Sequence, residues 1–286
     1  MVDISVVIVN WNTNALLQRC LESLRRYALS EEEGEFAVEL WVVDNGSSDG
    51  SPEMVAQQFP TVRLIRNEAN LGFAQANNLA LPHTTGRYML LLNSDTELQS
   101  GVLQEMVTFM VQHPAVGIAG PKLLNPDGTP QYSCDAFPRR PFTLLRDKLG
   151  KILFQGKTRS GERERMAPES ADEPVAVDYV IGAALLIRRE TYEQIGGLDE
   201  RFFMYAEDID WCYRAAQAGW STAYVGNVSL YHLNRGSSDA SPELAARLAR
   251  LRATSLLQFY RKHYGVLSAL LMQVILFFKR LQEGIP

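Results

Sequence analysis

Four short stretches gather side chains that could do chemistry. Asp44, in WVVDNGSSDGS, closes an apolar run and is followed by amides and hydroxyls able to hydrogen-bond a nucleobase or a ribose. The same Asn-Gly-Ser-Ser-Asp-Gly string also suits a tight turn before a helix. Asn93-Ser94-Asp95 follows YMLLL, the most hydrophobic run in the chain. A carboxylate there is placed to hold a divalent cation, which in turn holds phosphate oxygens; Ser94 to Thr96 could equally cap the next segment. Glu207-Asp208-Ile209-Asp210 lies between RFFMYA and Trp211. Carboxylates against aromatic, poorly hydrated surroundings have raised pKa values, which suits a general base. Helical geometry puts Glu207 and Asp210 on one side, and the macrodipole alone accounts for one or two acids in a first turn. His232, in LYHLNRGSS, ends an apolar strand and is one of four histidines. It reads as a metal ligand or as a structural histidine, and Arg235, Ser237 and Ser238 beyond it could hold a phosphate.

The elements that must position these residues alternate between two periods. Ile4 to Asn10, Val38 to Val43, Val62 to Ile65 and Arg87 to Leu92 read as strands. Between them, Ala15 to Tyr27, a segment from Ser51 and Gly72 to Leu81 read as helices. Ser51-Pro52-Glu53 predicts an N-cap serine with proline at the first helical position. Ser100 to His113 is a further helix, ended by Pro114. Such alternation predicts a parallel sheet covered on both faces, with Asp44 and Asp95 at the strand ends where open α/β sheets bind ligands. After Gly120 the pattern changes: KLLNPDGTPQ is turn-rich and about 155–174 reads as a polar, mobile loop. Glu207 to Ala218 is helical, Ser241-Pro242-Glu243 opens a helix to about Tyr264, and Val266 to Leu281 is apolar nearly all round.

Composition narrows the field. With 286 residues, 46% hydrophobic and 21% charged, the chain can bury a sizeable core and is not a disordered or disulfide-built one. Its net charge of −5 argues against nucleic acid as a partner. That total is uneven: Arg139–Arg165 and Ala245 to the end each carry +6, leaving −17 for the rest. Cys20, Cys134 and Cys212 fit no metal pattern and read as thiols of a reducing cytosol. The start, MVDISVVIVNWN, reads as a strand and not as a signal peptide.

In order, VVIVNWN, VVDNGSSDGS, NLGFAQANN, LLLNSDTEL, GAALLIRR, GGLDERFFMYAEDIDWCYR and a histidine followed by GSS run from Ile4 to Ser238. Together they resemble the family-two inverting glycosyltransferases of GT-A fold, especially the bacterial rhamnosyltransferase-like branch. The resemblance implies an α/β fold, Rossmann-like with a mostly parallel central sheet and helices on both faces, plus a C-terminal helical tail. It implies a GT-A domain over 1–240 and a tail over 241–286. Asp44 would bind the base of a nucleoside-diphosphate sugar, and Asn70, Gly72 and Asn77 would lie near ribose or diphosphate. Asn77 stands where this superfamily often carries an arginine. Asn10, Asn12, Asn45, Asn93, Ser94, Arg235 and Ser237 complete the implied donor-binding set. Asp95 matches the last carboxylate of the metal motif, whose first acid is Asn93 here. A divalent cation (Mn or Mg) would then rest on Asp95 and His232. Asp208 matches the catalytic base, with Glu207 positioning the acceptor or assisting. The implied donor is a dTDP-6-deoxysugar such as dTDP-rhamnose, with a UDP-sugar second. The acceptor would be a saccharide or lipid-linked saccharide of a bacterial envelope pathway, handled in the cytoplasm or on the inner face of the membrane.

Other readings lack their marks. A dinucleotide oxidoreductase needs G-x-G-x-x-G where Trp11-Asn12-Thr13 stands, and a nucleotidyltransferase needs a Gly-rich basic loop there. A processive synthase would add membrane spans and Q-x-x-R-W. A catalytically silent sugar-nucleotide-binding or scaffolding subunit is the remaining alternative. The tail, apolar over Val266 to Phe278 and flanked by Arg261, Lys262, Lys279 and Arg280, is too short to span a bilayer. It fits a helix lying on an anionic membrane surface, or one docking on its own domain or on a second subunit as a homodimer.

Overall fold

The computed structural model describes residues 2–27, 37–143, 171, 173–233 and 242–282. Strand β1 (Ile4–Asn10) sits between β2 (Val38–Asp44) and β4 (Tyr88–Asn93), parallel to both, and β3 (Arg63–Arg66) extends the parallel set beside β2. Strands β1 and β4 are apolar at nearly all of both alternating positions because both faces are covered, whereas β3 at the edge exposes Arg63 and Arg66. Ile4, Val6, Ile8, Leu90 and Leu92 face one core, packed by α1 (Asn14–Tyr27), α2 (Ser51–Gln58) and α4 (Val102–Gln112). Val7, Val43, Met89 and Leu91 face the other, where α3 (Phe73–Ala80) contributes Ala74, Ala76 and Ala80.

The rest of the sheet departs from the parallel pattern. After β5 (Thr96–Glu97), β6 (Val116–Leu124), β7 (Cys134–Asp135), β8 (Pro174–Val177) and β9 (Tyr179–Val180) comes β10 (Ala184–Arg188), which inserts antiparallel between β4 and β6. The long β11 (Ser221–His232) then runs parallel to β6 and antiparallel to β5 and β8. Its register against β6 shifts between Val225 and Ser229, which bends the strand and curls the sheet. The order is β3-β2-β1-β4-β10-β6-β11-β5. Antiparallel neighbours were not legible because β10 is a continuous apolar run, and such a run carries no sign of direction.

Local details refine the expected boundaries. The cap of α2 is Gly50 in the left-handed region (φ 81°), not Ser51, whose hydroxyl donates to Asp49 at 2.5 Å. The KLL of the turn-rich segment belongs to β6, and the turn begins at Asn125. The expected loop lies outside the described residues at 155–170 and 172, and Pro174 already begins β8.

Three further helices follow: α5 (Arg189–Ile195), α6 (Glu207–Gln217) and α7 (Pro242–Tyr264), with α8 (Val266–Gln282) folding back on α7. The C-terminal half of α7 is built into the body. Phe259 is fully buried against Phe202 and Ala206, and Tyr260 and Tyr264 donate to the carbonyls of Arg139 and Pro138. Among the described residues, no helix is long and apolar enough to cross a membrane.

Candidate active site

The ends of β1 and β4 and the start of α1 line a cleft of about 520 Å³, with Asn12, Thr13, Asp49, Asn93, Ser94 and Asp95 among its walls. Register places Asn10 opposite Asp44 and Val9 opposite Asn93, so the three motifs meet because their strands are neighbours. Asn10 Nδ2 donates to Asp44 Oδ1 (3.1 Å) and to Ser47 Oγ (3.2 Å), while the Ser47 amide donates to Asp44 Oδ2 (3.0 Å). Asn12, in the left-handed region at φ 54°, accepts from the Ser48 amide, and Thr13 donates to Asn10 Oδ1. Trp11, at the mouth of β1, is 48% exposed and was passed over by sequence reasoning. An exposed indole beside an end-of-strand carboxylate is the signal that could have found it.

Several expected donor-binding residues turn out to build the walls instead. Asn10 is fully buried and Asn45 nearly so, and both are spent on protein partners. Asn45 bonds Asn70, Gly72 and Leu71, stapling the 67–72 loop to the end of β2. Asn77 has no exposed surface: its Nδ2 donates to the Phe73 carbonyl one turn back, and its Oδ1 is buried without a partner. Gly72 is likewise a packing residue. At φ +86°, a Cβ added there would come 2.5 Å from the Phe203 carbonyl oxygen. Asn70 remains half-buried at the rim of this loop. Arg235 and Ser237 lie outside the described residues.

Asp95 and His232 meet because β5 and β11 pair: His232 stands opposite Thr96, and the Leu233 amide donates to the Asp95 carbonyl. His232 Nε2 lies 3.3 Å from Asp95 Oδ1 and 3.4 Å from Asn93 Nδ2. Its orientation is fixed from behind. Gln131 donates through Nε2 to the His232 carbonyl, which turns Gln131 Oε1 toward His232 Nδ1 at 2.8 Å. With Nδ1 engaged by Gln131 Oε1, Nε2 is the ring nitrogen left facing the Asp95 carboxylate. Two acceptors aimed at one point suit a divalent cation, whose remaining positions water and a diphosphate can fill. No group of three or more His, Cys, Asp or Glu able to hold a metal occurs among the described residues. Gln131 was missed in the sequence because nothing local marks it.

Asp208 and Glu207 open α6, after Tyr205 and Ala206 in the left-handed region (φ 71° and 64°). Two consecutive non-glycine residues there store strain that the surroundings must hold. Asp208 is half-buried, and its carboxylate accepts from the amides of Gly182 (2.9 Å) and Ile209 (2.8 Å). Burial raises its pKa and those two amides oppose the rise. Glu207 is buried, its Oε2 has no hydrogen-bond partner, and its pKa is raised well above the ordinary value by burial and then by Asp208. Asp208 joins the first cluster through one strand turn: Gly182 holds its carboxylate, and the Ala183 carbonyl accepts from the Asn93 amide (2.9 Å).

Asp210 plays another part. It is fully buried and bonded by Arg214, Lys262 and His263. Burial alone would raise its pKa, but His263, Lys262 and Arg214 outweigh that and hold it low. It ties α6 to α7, and Ser255 ties α7 to the segment before α6 by donating to the Met204 carbonyl at 2.7 Å.

A curled α/β sheet with carboxylates at its strand ends, joined through Gly182 and Ala183 to an acidic helix start, has the arrangement of a GT-A glycosyltransferase. The chain belongs to glycosyl transferase family 2, whose profile matches residues 5–166, while that of glycosyl transferase family group 2 matches 88–284. Within it the chain falls in the rhamnosyltransferase-like branch. It is 30% identical over 276 residues to the N-acetylglucosaminyl-diphospho-decaprenol L-rhamnosyltransferase of Mycobacterium tuberculosis, covering 91% of this chain and 85% of that one. It is 25% identical over 168 residues to rhamnosyltransferase WbbL of Escherichia coli K12, covering 56% of this chain and 60% of that one. Among solved structures it resembles the mannosyltransferase PcManGT of Pyrobaculum calidifontis, in complex with GDP-Man and Mn²⁺, at TM-score 0.60 and 21% identity. That match covers 91% of this chain but 63% of the other, and it speaks to the fold.

Proposed function

We propose that the protein transfers a sugar, rhamnose or another 6-deoxyhexose, from a nucleoside diphosphate to a lipid-linked saccharide in cell-envelope polysaccharide synthesis. The donor class is read from the rhamnosyltransferase relatives, with dTDP-rhamnose first and a UDP-sugar second. The acceptor class follows the name of the mycobacterial relative, which acts on an N-acetylglucosaminyl-diphospho-decaprenol. The observation that carries the reading is the half-buried Asp208 carboxylate, held by two amides and linked through Ala183 to the Asn93–Asp95 strand end.

In this reading the exposed face of Trp11 receives the base, Asp44, nearly buried and bonded to Asn10 and the Ser47 amide, holds the turn behind it, and Asn12 and Ser94 border the ribose and diphosphate. Asp95 and His232 would hold Mn²⁺ or Mg²⁺; when bound, such an ion neutralises charge on the departing diphosphate. Asp208 takes the proton of the acceptor hydroxyl as that oxygen attacks the anomeric carbon, and one displacement with one base gives inversion. Glu207 lies buried beside Asp208, and burial and then Asp208 raise its pKa. Residues 1–240 would form the catalytic domain, with the start of α7 as its boundary and its later turns as part of the wall.

The test is a panel of nucleotide sugars with Mn²⁺ or Mg²⁺. The cognate donor should raise the melting temperature, and the acceptor-dependent product should carry the anomeric configuration opposite to the donor's. A retained configuration would overturn the single displacement. Donor binding without turnover on any saccharide-diphosphate lipid would favour a silent binding subunit.

A further inference from the structure

Helix α8 is amphipathic with its apolar side turned outward. The inward positions hold Ser268 and Met272, both buried, whereas Val266, Leu267, Leu270, Val274, Phe277 and Phe278 are between 50% and 74% exposed. The exposed positions recur at steps of three and four, so they form one stripe. No charged residue occurs from Val266 to Phe278. Single exposed apolar residues are ordinary, but a continuous stripe marks a surface that something covers.

Charge indicates what covers it. Arg250, with Leu257, Val274 and Phe277, borders a cleft of about 560 Å³ between α7 and α8. Exposed Arg261 stands just before the stripe, Lys279 and Arg280 follow it in sequence, and Glu283 is the one acid from Ala245 to the end. A second copy is a poor match. Pairing α8 with another α8, parallel or antiparallel, sets basic ends against basic ends, whereas anionic headgroups neutralise both. Thirteen helical residues reach about 20 Å, short of the roughly 30 Å hydrocarbon core. We propose that the outer face of α8 docks on an anionic lipid surface, with the helix lying in the plane of the interface and Arg250 and Arg261 at headgroup level.

The consequence reaches the cleft, because α7 connects the two. The helix that packs against α8 also holds Met204 through Ser255 and Asp210 through Lys262 and His263. Docking would therefore fix the acidic start of α6 relative to the membrane from which a lipid-linked acceptor comes. That use rests on the proposed function; the docking itself does not.

The full chain is sedimented with phosphatidylcholine vesicles, with and without about one third phosphatidylglycerol. Wild type should co-sediment with the anionic vesicles, more weakly at high salt and on neutral ones. Leu270→Glu with Val274→Glu, and separately Leu267→Glu with Phe278→Glu, should weaken binding by about tenfold or more at an unchanged melting temperature. Equal binding by both variants, or no binding by wild type, overturns the proposal. So does a dimer in analytical ultracentrifugation that the substitutions dissolve without vesicle binding, which would assign the face to a second copy. Transfer to a detergent-soluble acceptor is read separately. Intact transfer without vesicle binding defeats the docking alone, and intact docking without transfer defeats the proposed function alone.

Discussion

Glu207 and Asp208 are neighbours in sequence with different surroundings, and the difference is measurable. Glu207 is buried with an unbonded oxygen, so its folded-state pKa stands above its unfolded value of about 4.3. A carboxyl raised in this way stabilises the fold below the unfolded pKa and loses that contribution as pH rises toward the folded one. Denaturant midpoints should therefore fall as pH rises above the unfolded-state value in wild type. Glu207→Gln, which cannot ionise, should flatten that fall; an unchanged slope would show that Glu207 is not the group responsible. The acid limb of kcat/KM should lie above the ordinary aspartate range near 4, because Asp208 must lose its proton to act and burial raises its pKa. At the other cluster, Gln131→Ala frees the His232 ring to turn. Mn²⁺ affinity, read by electron paramagnetic resonance titration, should drop about tenfold or more, the cost typical of losing a partner behind a metal-binding imidazole. The acids and the histidine were legible from residue type and neighbours. Gln131 was not, because its role exists only once β11 is placed.

The elements carry two loads, closing the cleft and holding strain. Gly72 lets α3 begin against Phe203, and Phe73 donates its amide to the Phe203 carbonyl. Gly72→Ala should cost about 1–3 kcal/mol from backbone strain alone, and it should lower kcat/KM by shifting the loop that leads into Glu207. Asp210→Asn should cost about 3 kcal/mol or more, since it leaves Lys262 and Arg214 facing a neutral amide in a buried site. Its loss belongs to folding, so surviving folded protein should keep its donor affinity. Helices and strands before Gly120 were readable because their periods differ, with errors of a residue or two at caps such as Gly50. Asn10, Asn45 and Asn77 misled because an amide that binds a ligand and one that staples a loop look the same in a sequence; burial separates them.

For the whole molecule, topology decides what meets. Asp44 and Asn93 come together by parallel neighbours that the sequence pattern predicts, but Asp95 and His232 meet only because β11 crosses the sheet and bends after Val225. The tail, expected as an appendage, is half wall and half outward face: Phe259 closes on the α6 start while the stripe on α8 faces away. The uneven charge, +6 at each basic segment against an acidic body, fits that division. Cys20 and Cys212 are buried, and burial pushes both thiols up to about 12, so thiol chemistry takes no part. What remains central is the proposal that one carboxylate, Asp208, removes the acceptor proton. The direct measurement is acceptor-dependent turnover by Asp208→Asn beside its affinity for the cognate nucleotide sugar. The account predicts turnover lower by about a thousandfold, the usual reach of a positioned base, with donor affinity unchanged. Turnover equal to wild type would contradict it.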